Sequence, residues 1–406
     1  MIDVPRLEPL LAARKASRSP GPADLGLVMG GGGARAAYQV GFLRVVAQHF
    51  PELRIPYITG VSAGAINAAM LASHHGTFLQ AVQELSHLWA DLTIEDVFRV
   101  DTRSLAMNTF RWLSQLGSGG IGKRQVRGLV DTDPLRSYMT EVLHAVDGEL
   151  TGVQYNLDHD RLKALAISTT SYTTGRSITW VQGSDVREWE RPQRQSRMCT
   201  MTVEHVMAST ALPLLFPAVR LGHEWFGDGG IRLTAPLSPA LHLGARKIIA
   251  ISNRYRQGPI ESAEPDIPGY PPPAQVAGVL LNSIFLDLLD HDAARLERLN
   301  DLLEHLPEEA RTGLRPVELL TLRPSQDLGR LAGSFEADLP ASFRFMTRGL
   351  GTKETKSPDF LSLVLFQPDY LRALIEIGES DARERVVEIK AFLEGGVEAV
   401  ASTGRY

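Results

Sequence analysis

Two apolar stretches, each ending in a glycine-rich turn and followed by an Ala-rich segment, constrain this chain more than any other feature. The first is LGLVMGGGGARAAYQVG (residues 25–41) and the second RIPYITGVSAGAINAAMLAS (residues 54–73). A short apolar run bounded by glycine reads as a buried strand, and a longer Ala-rich run as a helix. Strand, turn and helix repeated without a break produce parallel strands joined by crossover helices. This rhythm predicts strands at 25–30 and 54–60, and helices at 34–49 and 63–74. Further strands are expected at 162–169, 178–182, 247–252 and 317–322. The expected fold class is α/β, with a central, mostly parallel sheet and helices on both faces.

Three stretches interrupt the rhythm. Residues 92–131 form an insertion in which Phe110, Trp112 and Leu113 precede a GSGG hinge. Such a segment could act as a lid over an apolar pocket or simply pack on the sheet. Residues 183–200 are polar and Arg-rich, and residues 254–274 read as a Pro-rich linker. Residues 1–22 are a polar tail, 23–325 carry the alternating pattern, and 326–406 turn helical. Within 276–300 an uninterrupted helix is expected, its Leu/Ile stripe serving core packing or a lipid surface. Asp133, ahead of Pro134, reads as a helix N-cap with proline at the first helical position.

Composition removes several function classes. The 406 residues carry a formal charge of −5, so no general basic excess favours nucleic acid or anionic membranes. Cys199 is the single cysteine, which rules out an intrachain disulfide and disfavours a thiolate metal site. No metal site or cofactor is called for. There is no apolar signal core and no run of about 18 apolar residues. The expectation is a cytoplasmic protein whose contact with membrane, if any, is peripheral and local.

The glycines after the first strand admit two readings. Gly31, Gly33 and Ala36 fit G-x-G-x-x-[GA], the turn that holds a dinucleotide pyrophosphate. That fold also wants an acidic residue ending the second strand. Here the strand ends in Thr59-Gly60, and Glu52 lies ahead of it. Instead it runs into GVSAG, with Ser62 between Gly60 and Gly64. A pentapeptide of this kind arises by composition in roughly one chain in five. Its position between strand and helix makes it a nucleophile elbow, the turn that holds a serine hydroxyl at a helix N-terminus. Parallel neighbouring strands bring the first turn beside the elbow. The N–H groups of Gly31, Gly32 and Gly33 can then receive a transient oxyanion rather than a resident phosphate.

A nucleophilic serine needs a base. The histidines following Asp228 are His242, His291 and His305, and each lies in a helical segment rather than a Gly-rich turn after a strand. FGDGG places Asp228 between Gly227 and Gly229, followed by Gly230. Taken alone, D-G-G reads as a hairpin turn. A carboxylate there could approach the serine, but at an ordinary pKa it is a weak base, so burial must raise it.

GGGGAR, GVSAG and DGG, in this order, resemble the signatures of the patatin-like phospholipase family. The likeness extends to ASTALPLLFPAV before the third motif and to GLVDTDPLRSYM after the insertion. It covers roughly residues 23–325. The resemblance implies a three-layer sandwich and a Ser–Asp dyad without a histidine base, with Ser62 as nucleophile and Asp228 as its partner. It assigns the oxyanion hole to Gly31, Gly32 and Gly33. Arg35, Gly60, Gly64, Gly229 and Gly230 then support the motifs. Ala36 departs from the family's usual glycine. Arg35 either orients the glycine loop, meets a phosphate, or serves as a structural ion-pair partner. The implied activity is hydrolysis of lipid acyl esters. The alternatives are an α/β-hydrolase esterase with a histidine base and a catalytically silent lipid-binding protein.

Overall fold

The computed structural model describes residues 23–99, 128–258, 269–349 and 357–394, with Glu261, Ile267, Gly351, Thr352 and Thr355 between them. Its strands are β1 (Leu25–Met29), β2 (Tyr57–Val61), β3 (Ala164–Ser171), β4 (Ser177–Gly183), β5 (Glu190–Arg191), β6 (Arg194–Met198), β7 (Val219–Leu221), β8 (Glu224–Asp228), β9 (Lys247–Ile251) and β10 (Glu318–Leu322). The helices are α1 (Ala37–His49), α2 (Ala63–Ser73), α3 (Phe78–Asp91), α4 (Ile94–Val97), α5 (Asp133–Val142), α6 (Thr151–Asp158), α7 (Val203–Thr210), α8 (Ser238–Leu243), α9 (Pro273–Phe285), α10 (Asp287–Glu304), α11 (Leu328–Ser334), α12 (Ala341–Gly349), α13 (Asp359–Val364), α14 (Pro368–Glu384) and α15 (Val386–Glu394). A short 3-10 turn, Gly33–Ala36, leads into α1.

The sheet runs β10-β9-β1-β2-β3-β4-β6-β5. From β10 to β3 every pairing is parallel, while β4 is antiparallel to β3. The α/β architecture expected from the sequence is therefore the one observed. The period of two decides its layers. Leu27 and Met29 of β1, with Ile249 and Ile251 of β9, enter the core under α1, α2 and α14. Val28, Ile248 and Ala250 point the other way, into a smaller core with Leu289, Ala293 and Leu296 of α10.

β3 is longer than β2, and this difference builds the site. β2 pairs with β3 as far as Val61↔Ser168. On the other edge β4 follows β3 almost to its end. Beyond Ser168 the edge left by β2 is taken by β8, antiparallel, starting at Thr169↔Asp228. The ends of β2 and β8 thus meet head-on along one strand edge, at successive register positions. The hairpin turn joining β7 and β8 falls at Gly222, not at D-G-G, where a 3-10 turn begins instead.

Two local expectations are corrected. The segment 276–300 is two helices, broken at Leu286 (φ −113°, ψ −42°). The break lets α9 lie against α13 while α10 turns its leucines to the sheet. Thr132 occupies the N-cap position of α5 without a side-chain capping bond, so Asp133 is the first helical residue and pairs with Arg136 (2.9 Å). Phe110, Trp112, Leu113 and the GSGG hinge lie outside the described residues.

The helices after β10 belong to the main core. Gly41 of α1 and Gly378 of α14 let the two backbones touch: a Cβ on Gly41 would stand 1.9 Å from the Ile375 carbonyl oxygen. The Tyr38 hydroxyl donates to Asp381 (3.0 Å) across the same contact.

Candidate active site

Ser62 sits between β2 and α2 with φ 55° and ψ −135°, a conformation that strains any residue with a side chain. Two residues to either side, the surroundings permit only glycine. A Cβ on Gly60 would meet the Gly64 carbonyl oxygen at 2.5 Å, and one on Gly64 would meet the Met29 carbonyl oxygen at 2.4 Å. The strained turn is tied down by Ser209, which lies outside the three glycine motifs. The Ser62 N–H donates to the Ser209 hydroxyl (2.9 Å), which donates to the Ser168 carbonyl (2.7 Å). Ser209 is fully buried on α7. No sequence spacing links it to Ser62, since the contact spans 147 residues.

The loop after β1 lies against the serine. A Cβ on Gly31 would stand 2.9 Å from the Ser62 Cβ. Gly32 (φ 146°) and Gly33 (φ 54°) adopt conformations that favour glycine, and both line the cavity beside Ser62. Side chains clamp this loop through its carbonyls. Gln39 Nε2 donates to the Gly30 carbonyl (2.9 Å) and Asn253 Nδ2 to the Gly31 carbonyl (2.8 Å). Asn67 ties Gln39 to the indole N–H of Trp89. Among the described residues, the N–H groups of Gly31 and Gly32 donate to no backbone carbonyl. They remain available as donors beside the serine.

Arg35 is buried, its guanidinium paired with Asp359 and donating from Nε to the Ser362 hydroxyl (2.7 Å). The ion pair with Asp359 gives Arg35 a structural partner, and the residue also lies on the wall of a polar cavity shared with Arg254, Gln275 and Ser357. It joins the glycine loop to α13.

Asp228 is fully buried at the end of β8. Its Oδ1 accepts the Gly230 N–H (2.9 Å), and its Oδ2 is buried without a hydrogen-bond partner. Burial pushes its pKa up to about 7, while the nearby Ser62 hydroxyl and the Gly230 N–H oppose that rise by favouring the charged form. Its backbone is fixed by bonds to Ala211 (3.0 Å) and Thr170 (2.8 Å). Gly229 and Gly230 have no room for side chains: a Cβ would fall 2.1 Å from the Ser168 carbonyl oxygen in the first case and 2.3 Å from the Phe285 ring in the second.

From Ser62 a narrow cavity of about 50 Å³ runs between Ile66, Trp89, Met139, Phe216, Phe285 and Leu363. Its walls are almost wholly apolar, the character of a slot for a hydrocarbon chain. His242, His291 and His305 do not line it. His242 stacks on Trp189 (4.8 Å), His291 is exposed, and His305 ends α10. His205, buried against Trp180, is held neutral, with burial lowering its pKa to about 4. Cys199 is half-buried, and burial pushes its thiol up to about 12. Among the described residues no cluster of His, Cys, Asp or Glu could hold a metal ion.

A family model described as patatin-like phospholipase matches residues 27–241, just over half of the chain. The chain belongs to the patatin-like phospholipase family. The match contains the glycine loop, the elbow and the Asp228 turn. The patatin-like match ends before α9–α15, although α9 and α13 supply walls of the slot. Similar solved structures include VipD from Legionella pneumophila, with 14% identity and a TM-score of 0.39 over 90% of this chain and 67% of that one. Human GIVD cytosolic phospholipase A2, solved with methyl gamma-linolenyl fluorophosphonate, shows 12% identity and a TM-score of 0.37 over 94% of this chain and 62% of that one. The chain thus spans 62–67% of the length of these two. A search of curated proteins finds no match.

Proposed function

We propose that this chain is a serine lipid acyl hydrolase that cleaves carboxylic esters of phospholipids or lysophospholipids. One observation carries the reading: a serine in a strained elbow opens an apolar slot, with a buried carboxylate and a loop of glycine N–H groups beside it. Ser62 Oγ attacks the ester carbonyl carbon, and its proton passes to the Asp228 carboxylate. The N–H groups of Gly31–Gly33 receive the oxyanion of the tetrahedral intermediate. Collapse expels the alcohol, protonated by Asp228, and leaves an acyl group on Ser62. Water then gives up a proton to Asp228 and attacks the acyl carbon, and as the fatty acid leaves Asp228 returns that proton to Ser62 Oγ.

The raised pKa of Asp228 supports the role of base, because a carboxylate titrating at about 7 accepts a proton far more readily than an ordinary one. The same unit, residues 23–325, is completed by the helical extension from 326 onward, whose Leu363, Val364 and Phe366 line the slot. Contact with a lipid surface is supported by α9. Its exposed side presents Val276, Val279 and Leu280 at helical spacing, on a helix without a charged residue. Its inner end, Phe285, walls the slot. No helix among the described residues is long and apolar enough to cross a membrane. The reading is tested by fatty-acid release from a panel of phospholipids, lysophospholipids and acylglycerols, with Ser62→Ala as control. Release from a phospholipid or lysophospholipid by the wild type alone is the expected result. Equal release by the variant, or none from any lipid, would overturn the proposal.

A further inference from the structure

A line of buried side chains begins at the wall of the slot and ends at the glycine loop. The indole N–H of Trp89, on the slot wall, donates to Asn67 Oδ1 (2.7 Å). Asn67 Nδ2 donates to Gln39 Oε1 (2.9 Å), and Gln39 Nε2 donates to the Gly30 carbonyl (2.9 Å). All three side chains are fully buried. The two ends of the line fix its direction. An indole N–H can only donate, and a carbonyl oxygen can only accept. Between them, two amides have one orientation in which every bond is made, each accepting at its oxygen and donating at its nitrogen. Trp89 therefore ensures that Gln39 presents an N–H, and not an oxygen, to Gly30.

Peptide geometry carries this orientation onward to a donor. In a trans peptide the C=O and the following N–H lie in one plane and point in opposite directions. The peptide bonds of this loop are trans. Gln39, on α1, holds the Gly30 carbonyl, so the Gly31 N–H is directed to the side away from Gln39. Asn253 Nδ2 holds the Gly31 carbonyl (2.8 Å) and fixes the Gly32 N–H in the same way. Asn253 follows β9 and is buried, so the second clamp is independent of the first. Among the described residues, neither of the two N–H groups donates to a backbone carbonyl. Gly31 abuts the Ser62 side chain, and Gly32 lines the slot.

We propose that Gln39 and Asn253 are positioning residues that aim the Gly31 and Gly32 N–H groups at the oxygen of the reacting carbonyl, and that Trp89, acting through Asn67, sets the polarity of the first clamp. This assignment rests on Ser62 being the nucleophile of an ester hydrolase. Gln39, Asn67 and Asn253 do not line the slot. They act on the charge that develops during reaction and leave substrate binding alone, so their loss falls on kcat.

Gln39→Met and Asn253→Leu keep the approximate shape of each clamp and remove its donor. Trp89→Phe keeps an aromatic wall and removes the N–H that starts the line. Steady-state hydrolysis of a soluble p-nitrophenyl ester by the whole protein is the first measurement. Each variant should lose about tenfold or more in kcat, toward the 10²–10³ that removal of an oxyanion donor costs. KM should stay within about twofold for the two clamp variants. The second measurement is inhibition by an alkyl trifluoromethyl ketone, whose adduct with a serine carries the oxyanion. Its inhibition constant should rise in step with the fall in kcat, while the affinity for the product fatty acid is unchanged. A general loosening of the fold would not separate these two ligands. Circular dichroism checks folding, and if one clamp variant does not fold, the other and Trp89→Phe carry the same test. Folded clamp variants with wild-type kcat overturn the proposal, as does a fall in kcat with ketone inhibition unchanged. A wild type without turnover that depends on Ser62 would refute the proposed function and this assignment with it; a wild type that turns over beside unaffected variants refutes this assignment alone.

Discussion

Asp228→Asn is expected to abolish ester hydrolysis and, above neutral pH, to make the protein more stable. In the folded protein the carboxyl titrates near 7, against about 3.8 when unfolded. A folded state that holds its proton more tightly gains stability at low pH and loses it as pH rises through this window. Above pH 7 the charged carboxylate is buried, and the loss amounts to about 4 kcal/mol at about 1.4 kcal/mol per pH unit. Asparagine carries no charge and escapes this loss. Its amide oxygen can still accept the Gly230 N–H. Its NH2 group, however, takes the place of Oδ2, which has no partner, and a buried unsatisfied donor costs about 1–3 kcal/mol. The net result is a gain of about 1–3 kcal/mol near pH 8.5 and a loss of similar size near pH 4, where only the amide penalty remains. Paired thermal melts across this range, with fatty-acid release measured alongside, check both halves. The wild-type kcat/KM should rise with pH through about 7, as Asp228 loses its proton. A variant that melts below the wild type at every pH, or that still turns over, would refute the reasoning.

Ser62→Ala should lose both hydrolysis and labelling by a fluorophosphonate while its circular dichroism is unchanged; a labelled variant would place the nucleophile elsewhere. Ser209→Ala removes the anchor of the Ser62 N–H and should lower kcat on a soluble ester about tenfold or more, with KM little changed, because misplacing a reacting group costs rate rather than binding. An unchanged kcat would make that bond structural only. Gly41→Ala must push α1 away from α14 and should destabilise by about 1–3 kcal/mol in urea denaturation, the usual range for overpacking. His242→Gln, His291→Gln and His305→Gln should each lose less than about tenfold in turnover, since removing a general base typically costs 10²–10⁴. A collapse in any one of them would move the chemistry to a histidine base.

What was legible in the sequence follows from how local its causes are. β1, β2, β3, β4, β9 and β10 all fall where short apolar runs stop at glycine or a polar residue, because a strand buried on both faces writes a continuous apolar word. The elbow was legible for the same reason: Gly60, Ser62 and Gly64 clash with or strain one another within five residues. β5 to β8 were not read. They are short, half-exposed and held by partners far along the chain, so no period of two develops. Their consequence is large nonetheless, because β8 is what delivers Asp228 to the end of β2.

The glycine loop shows the limit most sharply. Gly31, Gly32 and Gly33 look alike in the sequence, yet each is glycine for a different reason. Gly31 must admit the Ser62 side chain, and Gly32 needs its positive φ beside Asn253. Gly33 must let α13 approach, since a Cβ there would fall 2.0 Å from the Leu363 carbonyl oxygen. Arg35, two residues on, is then neutralised by Asp359 of that same helix. A loop that looks like a self-contained motif is therefore shaped by a segment more than 300 residues away. The glycine loop proposed to receive the oxyanion and one wall of the slot depend on the same packed contact. The C-terminal helices are for this reason part of the site's geometry, although the sequence presents them as an appendage.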